Sequence, residues 1–236
     1  MKFTFVRSCV AVLATLATVP VSADGLLYQL PEDGEWVQFD SEVTITRGDA
    51  TKNATGTLRM SSVGAVTENG QKCRWIEFNL TLTVDGNERV IVAKVLLPEA
   101  HLKEGQKPIE NRIRGWVRID ADADIVELTE NNLGPIPAFL ANPLTDVKKL
   151  EAVMVNSKLG DLSCVGLTGH TEFADGNTTN TVSYETRRHQ KAPFGVVTSQ
   201  LMIEVERDGK VAEKLGLDMK ISDFGKSASS ELANQW

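Results

Sequence analysis

Ile76-Glu77-Phe78-Asn79-Leu80-Thr81-Leu82-Thr83-Val84-Asp85-Gly86 is the stretch that sets the fold. Every second residue from Ile76 to Val84 is apolar, and Glu77, Asn79, Thr81 and Thr83 fill the alternate positions. A period of two places the two sets on opposite faces of an extended chain, so this is a half-buried β-strand. Asp85-Gly86 then supplies the residue pair that accepts positive φ in a tight hairpin turn.

Working outward, the same alternation appears in Val37, Phe39, Val43 and Ile45 against Gln38, Asp40, Glu42 and Thr44. It returns in Leu201, Ile203 and Val205, and in Leu215, Leu217, Met219 and Ile221. Asn69-Gly70, Asp175-Gly176 and Asp208-Gly209 each separate two such runs, as Asp85-Gly86 does. Strands are expected over 36–46, 55–67, 72–84, 87–97, 111–119, 163–174, 178–188, 195–207 and 210–221. The predicted class is mainly β, a β-rich α+β chain built as an antiparallel meander of long strands. One apolar face must be covered, either by curling into a half-barrel or open barrel or by packing two sheets face to face.

Short helices are expected to cover or plug the sheet. Residues 121–160 break the alternation: Thr145 can cap a helix carrying Val147, Leu150, Val153 and Met154 on one side. Upstream, the proline-bounded segment from Ile136 to Pro143 contains the apolar Phe139 and Leu140. A further helical turn is expected over Glu99–Lys103, after Pro98.

At the other end of the chain, Lys2 and Arg7 precede an apolar run from Cys9 to Val19, and Val21-Ser22-Ala23 offers small residues for cleavage. This reads as a secretory signal peptide over residues 1–23. Its apolar run is shorter than the roughly 20 residues a membrane-spanning helix needs, and no later run reaches that length. Export to the periplasm or the medium is the expectation. A single β-rich domain is expected over 24–223, with a flexible tail over 224–236.

Removing 23 of the 236 residues leaves 213, within the size of one β-rich domain. Loss of Lys2 and Arg7 takes the net charge from -7 to -9, which disfavours nucleic-acid partners. Two cysteines then remain, and in an oxidising compartment Cys73 and Cys164 are a candidate disulfide. The alternative is two buried thiols serving as small apolar side chains. The three histidines are scattered and neither cysteine has a ligand at metal-site spacing, so no metal or cofactor is implied.

Asp24 to Val37, Val95-Leu96-Leu97-Pro98-Glu99 with Arg114-Gly115-Trp116-Val117, and Ala192 to Val197 resemble a family of exported bacterial proteins of unknown function, abundant in planctomycetes. That resemblance implies secretion and no activity. The meander with short covering helices looks, more loosely, like the LolA- and LolB-like periplasmic lipoprotein carriers, whose half-barrel cradles acyl chains. This second likeness implies a lipid or acylated ligand and carries over no individual residue.

Among polar groupings, Arg112, Arg114, Trp116 and Arg118 occupy alternate positions of one strand. Guanidinium groups around an indole can hold an anionic head group, because Arg binds carboxylate or phosphate bidentately and stacks on aromatic faces. The competing reading is pairing with carboxylates on neighbouring strands. His170 and Glu172 share a strand face and form a nominal acid/base pair. Arg47-Gly48-Asp49 reads as a turn, and Asn53, Asn79 and Asn177 begin N-x-Thr sequons. No nucleophile elbow, metal-binding helix, P-loop or dinucleotide fingerprint is present.

The expected function is therefore an exported, non-catalytic binding protein for a lipid, acylated chain or other amphipathic small molecule. Arg112, Arg114, Trp116, Arg118, Phe139 and Leu140 are its candidate ligand contacts. The alternatives are a structural or interaction protein with envelope protein partners and a self-filled core, and, further off, an unrecognised hydrolase.

Overall fold

The computed structural model describes residues 25–102, 108–109, 111–128, 145–175 and 178–232. The leader segment 1–23 and the candidate contacts Phe139 and Leu140 lie outside them. Eleven strands form one antiparallel sheet: β1 Trp36–Arg47, β2 Ala50–Glu68, β3 Gln71–Val84, β4 Asn87–Pro98, β5 Arg114–Ile119, β6 Val126–Glu127, β7 Thr145–Ser157, β8 Gly160–Asp175, β9 Thr178–Arg188, β10 Val196–Arg207 and β11 Lys210–Gly225.

The strand order is β6-β5-β4-β3-β2-β1-β11-β10-β9-β8-β7. Two meanders thus run outward from a central seam where β1 pairs antiparallel with β11, from Trp36 opposite Gly225 to Arg47 opposite Glu213. The short β6 and the long β7 are the free edges, and the barrel is not closed. The sheet nevertheless bends far enough that β7 touches β11 across the three strands between them.

The turns follow from local chemistry. Asn69-Gly70, Asp85-Gly86 and Asp208-Gly209 all adopt positive φ at both residues, for example 50° and 78° at Asp85-Gly86. That geometry twists in the same sense as the flanking strands. Arg47-Gly48-Asp49 is likewise in the β1–β2 turn, with Gly48 at φ 57°.

Register decides which side chains share a face. Phe39 opposes Ile221 and Leu58, Leu58 opposes Leu80, and Leu80 opposes Ile91, so one apolar band crosses five strands. Half of this face is closed by Leu26, Leu27, Leu102, Ile109, Leu128 and Phe194, all buried in the main core. Gly195 makes that closure possible. Its φ is +85°, and a Cβ there would lie 2.7 Å from the Tyr28 ring, so a side chain would drive the N-terminal segment off the sheet.

Three expectations are corrected. Residues Thr145–Ser157 form strand β7, not a helix: the β-branched Val153 and Val155 pair across to Cys164 and Leu162 of β8, and this pairing outweighs the helical spacing. The only helical element among the described residues is a 3-10 turn at Glu99–His101. The tail does not fray as far as residue 232. Beyond Gly225 the Ala228 amide donates to the Gly34 carbonyl (2.8 Å), and Leu232 is buried.

The predicted Cys73–Cys164 bridge is also corrected, because both cysteines are buried free thiols. Five strands lie between β3 and β8 in the sheet, and the two side chains join different apolar clusters. Cys73 packs with Trp75 and Leu96, and burial raises the pKa of both thiols, which keeps them protonated and inert.

Candidate ligand-binding trough

The apolar face is covered along only part of its length. Past the Phe39 band, toward the hairpin turns, it opens into a trough of about 300 Å³ lined by Val43, Ile45, Ala54, Leu58, Leu80, Leu82, Val84, Leu201, Ile203, Leu215, Leu217 and Met219. Every lining residue but Ser41 is apolar. The volume lies at the lower end of small-molecule sites, roughly 300–1,000 Å³. Its walls come from β1, β2, β3, β10 and β11, so the seam joining the two meanders forms the floor.

The inner end of the trough has a different character. Ser41 opposes Met219, Met219 opposes Ser199, and Ser199 opposes Thr186, which makes one row across β1, β11, β10 and β9. Ser41, Ser199 and Thr186 are 3%, 0% and 0% exposed, and none of the three hydroxyls has a hydrogen-bond partner among the described residues. A buried polar group left unmatched costs about 1–3 kcal/mol. Two residues beyond Thr186 on the same strand, Arg188 is also buried and its guanidinium stacks on Tyr28 at 4.0 Å.

The opposite face is polar. Asp40, Glu42, Thr55, Thr57, Thr81, Thr83, Thr198, Gln200, Asp218 and Lys220 border a larger cavity of about 1600 Å³, whose far wall is Val153–Lys158 of the β7–β8 hairpin. It holds acids and bases together, with Glu185 bound to Arg187 at 2.7 Å. Among the described residues no group of three His, Cys, Asp or Glu could hold a metal.

The arginine grouping predicted from the sequence lies away from the trough. Arg114, Trp116 and Arg118 do share one face of β5, opposite the apolar band, while Arg112 precedes the strand. Each is engaged by protein: Arg114 with Glu68, Arg118 with Glu231 at 3.5 Å, and Arg112 with the Ile109 carbonyl at 3.2 Å. Trp116 packs on Trp75 with ring centroids 5.4 Å apart, and Arg114 lies over the Trp75 ring. Arg114 and Arg118 thus pair with carboxylates, as in the plainer of the two sequence readings. His170 meets Asp146 of β7 at 3.4 Å, a carboxylate that the His170–Glu172 pairing did not include.

Beside β5 on this face, Glu77 and Lys94 oppose each other across β3 and β4 and are 4% and 0% exposed. The Glu77 carboxylate accepts from Ser230 Oγ (2.6 Å) and from the amides of Glu231 (2.9 Å) and Leu232 (3.2 Å), while Lys94 Nζ donates to the Leu232 carbonyl (3.1 Å). Burial lowers the Lys94 pKa, and the nearby Glu77 opposes that shift. These two residues clamp the tail onto the sheet.

Sequence reasoning identified the apolar strand faces and missed which half stays uncovered. It also passed over a signal: Ser41 interrupts Val37-Phe39-x-Val43-Ile45, and Ser199 interrupts Val197-x-Leu201-Ile203 at the register that brings them into one row.

No protein-family model and no curated protein matches this chain. Among solved structures, a Bacteroides fragilis protein named as exported and YmcC-like in fold aligns with 84% of this chain and 99% of its own, at 11% identity and a TM-score of 0.37. A DUF1329 family protein from Desulfovibrio piger covers 85% of this chain and 88% of its own, at 9% identity and a TM-score of 0.25. At such identities and scores, these likenesses assign neither a family nor an activity to this chain.

Proposed function

We propose that this is an exported, non-catalytic binding protein whose bent sheet acts as a half-barrel for the acyl chain of an amphipathic ligand. One observation carries the reading: a trough with twelve apolar side chains and one serine lies open on a face whose other half is tightly packed. Water in such a trough gains little from its walls, whereas an alkyl chain buried there gains about 0.8 kcal/mol per methylene. The leader-like first 23 residues support export.

Native mass spectrometry of the protein purified from its own envelope tests the reading. A bound species of lipid mass, lost on denaturation, is the expected result. A bare polypeptide mass in that preparation, together with no uptake of added fatty acid, overturns it.

A second reading has its own observation. Val153, Met154 and Val165 expose apolar side chains on the β7–β8 hairpin, Met154 to 66%, and β7 is an edge strand of 13 residues. Such an edge can accept a strand from a partner, so an interaction role in the envelope is the alternative. Crosslinking from Met154 to a partner, with an empty trough, would favour it.

A further inference from the structure

We infer that the trough takes a free fatty acid head first, with the carboxylate against the buried hydroxyl row and the alkyl chain running outward past Val43 and Ile45. This deepens the acyl-chain reading and rests on it. The argument starts from order along the strands. From the hairpin end inward on β9–β11 and β1, the rungs are Ile45 with Leu215, Ile203 and Val182, then Val43 with Leu217, Leu201 and Tyr184, then Ser41 with Met219, Ser199 and Thr186. Polarity therefore rises with depth, as in an amphiphile whose head lies innermost.

Three unpartnered hydroxyls in one buried row are not what a self-filled core would retain, since apolar side chains of the same size would pack there at lower cost. Of this row Ser41 and Met219 line the trough, and the adaptable Met219 side chain separates Ser41 from Ser199 and Thr186, so the head group reaches the two deeper hydroxyls by displacing it. Hydroxyls alone would accept an alcohol or an acid equally. Arg188, buried one rung deeper on the same face of β9, adds positive potential and selects the carboxylate.

Depth also sets a size limit. Two rungs separate Ser41 from Ile45, about 13 Å of strand for a chain lying parallel to it, which suits an alkyl chain of medium length. A bulky esterified head cannot reach the row. The inferred ligand class is thus the free medium-chain acid, with its esters excluded.

Calorimetric titration of the full-length mature protein with decanoate, methyl decanoate and decanol at neutral pH tests this. The expected result is decanoate binding on the order of tenfold or more tighter than either neutral analogue, the worth of hydrogen bonds to a charged group. In Ser199→Ala/Thr186→Val that preference disappears while decanol binding persists, and the variant melts no lower than the parent. Should that pair fail to fold, Ser41→Ala is the substitute, with the same loss of preference expected. Equal affinity for all three probes overturns the head-group inference and leaves the trough reading standing. No binding of any probe overturns both. A variant that keeps the preference but loses stability means that buried water pairs the hydroxyls, and this too overturns the inference.

Discussion

Replacing Glu77 by Ala perturbs one point that holds the whole tail. The carboxylate accepts three hydrogen bonds from Ser230, Glu231 and Leu232 and faces the fully buried Lys94 ammonium. Breaking a buried charge pair by removing one partner costs about 3–5 kcal/mol, because the other charge is left without compensation. The cost has a ceiling: the tail can undock locally and let water reach Lys94. Docking buries Leu232, worth roughly 1.5–3 kcal/mol, and makes four polar contacts of the order of 1 kcal/mol each. Those docking terms together exceed the cost of the unpaired charge, so the expected loss is the full cost of about 3–5 kcal/mol, a large share of the roughly 5–15 kcal/mol typical of a domain. Guanidinium unfolding reads it as a lower midpoint at unchanged slope, and hydrogen exchange reads it as lost protection at the Glu231 and Leu232 amides. Adding Lys94→Met to Glu77→Ala is expected to recover most of the loss. A shift under about 1 kcal/mol with both amides still protected would refute the clamp.

Lys94 also predicts a pH dependence. Its folded pKa lies below the ordinary lysine value, so between the two the unfolded chain binds more protons and stability rises with pH. Cys73 and Cys164 act in the opposite sense, their raised folded pKa values making stability fall as pH passes the ordinary thiol range. The stability of the parent relative to Lys94→Met should therefore climb as pH rises toward the ordinary lysine value, and a flat difference would contradict a lowered Lys94 pKa. Thiol titration of the mature protein should find Cys73 and Cys164 unreactive when folded and both reactive in denaturant without reductant; a requirement for reductant would restore the bridge. Gly195→Ala should cost well over 1 kcal/mol, since φ +85° and the Tyr28 ring 2.7 Å away both oppose a Cβ; a neutral thermal melt would place Tyr28 elsewhere. Arg114→Ala should lower stability by about 1 kcal/mol or less and leave acyl binding unchanged, because its partner is Glu68 on the face away from the trough; loss of binding would return the arginine strand to the site.

Alternation made the strands legible because a two-residue period survives wherever one face is buried and the other wet. Ile76 to Val84 and Leu215 to Ile221 are both strands, and Asp85-Gly86 and Asp208-Gly209 both turn where expected. The segment 145–157 misled because Val147, Leu150, Val153 and Met154 fit a helical stripe, while the evidence for a strand lay in its hairpin pairing with β8, which starts at Gly160 just past a tight turn that carries none of the Asn-Gly or Asp-Gly signals of the other hairpins. Pairing of β1 with β11 has the same origin: it joins residues some 180 positions apart, and no turn signal announces it. The tail was misread because its anchors, Glu77 and Lys94, sit in strands where alternation assigns them to solvent. As for the site, the arginines drew attention because charge is conspicuous in a sequence, yet their carboxylates lie on neighbouring elements. The trough side chains are indistinguishable in sequence from those under Phe194, and only the placement of Leu26, Leu27 and Phe194 separates covered from open.

Methyl-resolved NMR of the protein labelled at Ile, Leu and Val, titrated with decanoate, tests the central claim most directly. The account predicts saturable shifts at Val43, Ile45, Leu82, Leu201, Ile203, Leu215 and Leu217, with Leu26, Val153 and Val165 unmoved. Shifts confined to Val153 and Val165 on the β7–β8 hairpin, or none at any ligand concentration short of micelles, would contradict it.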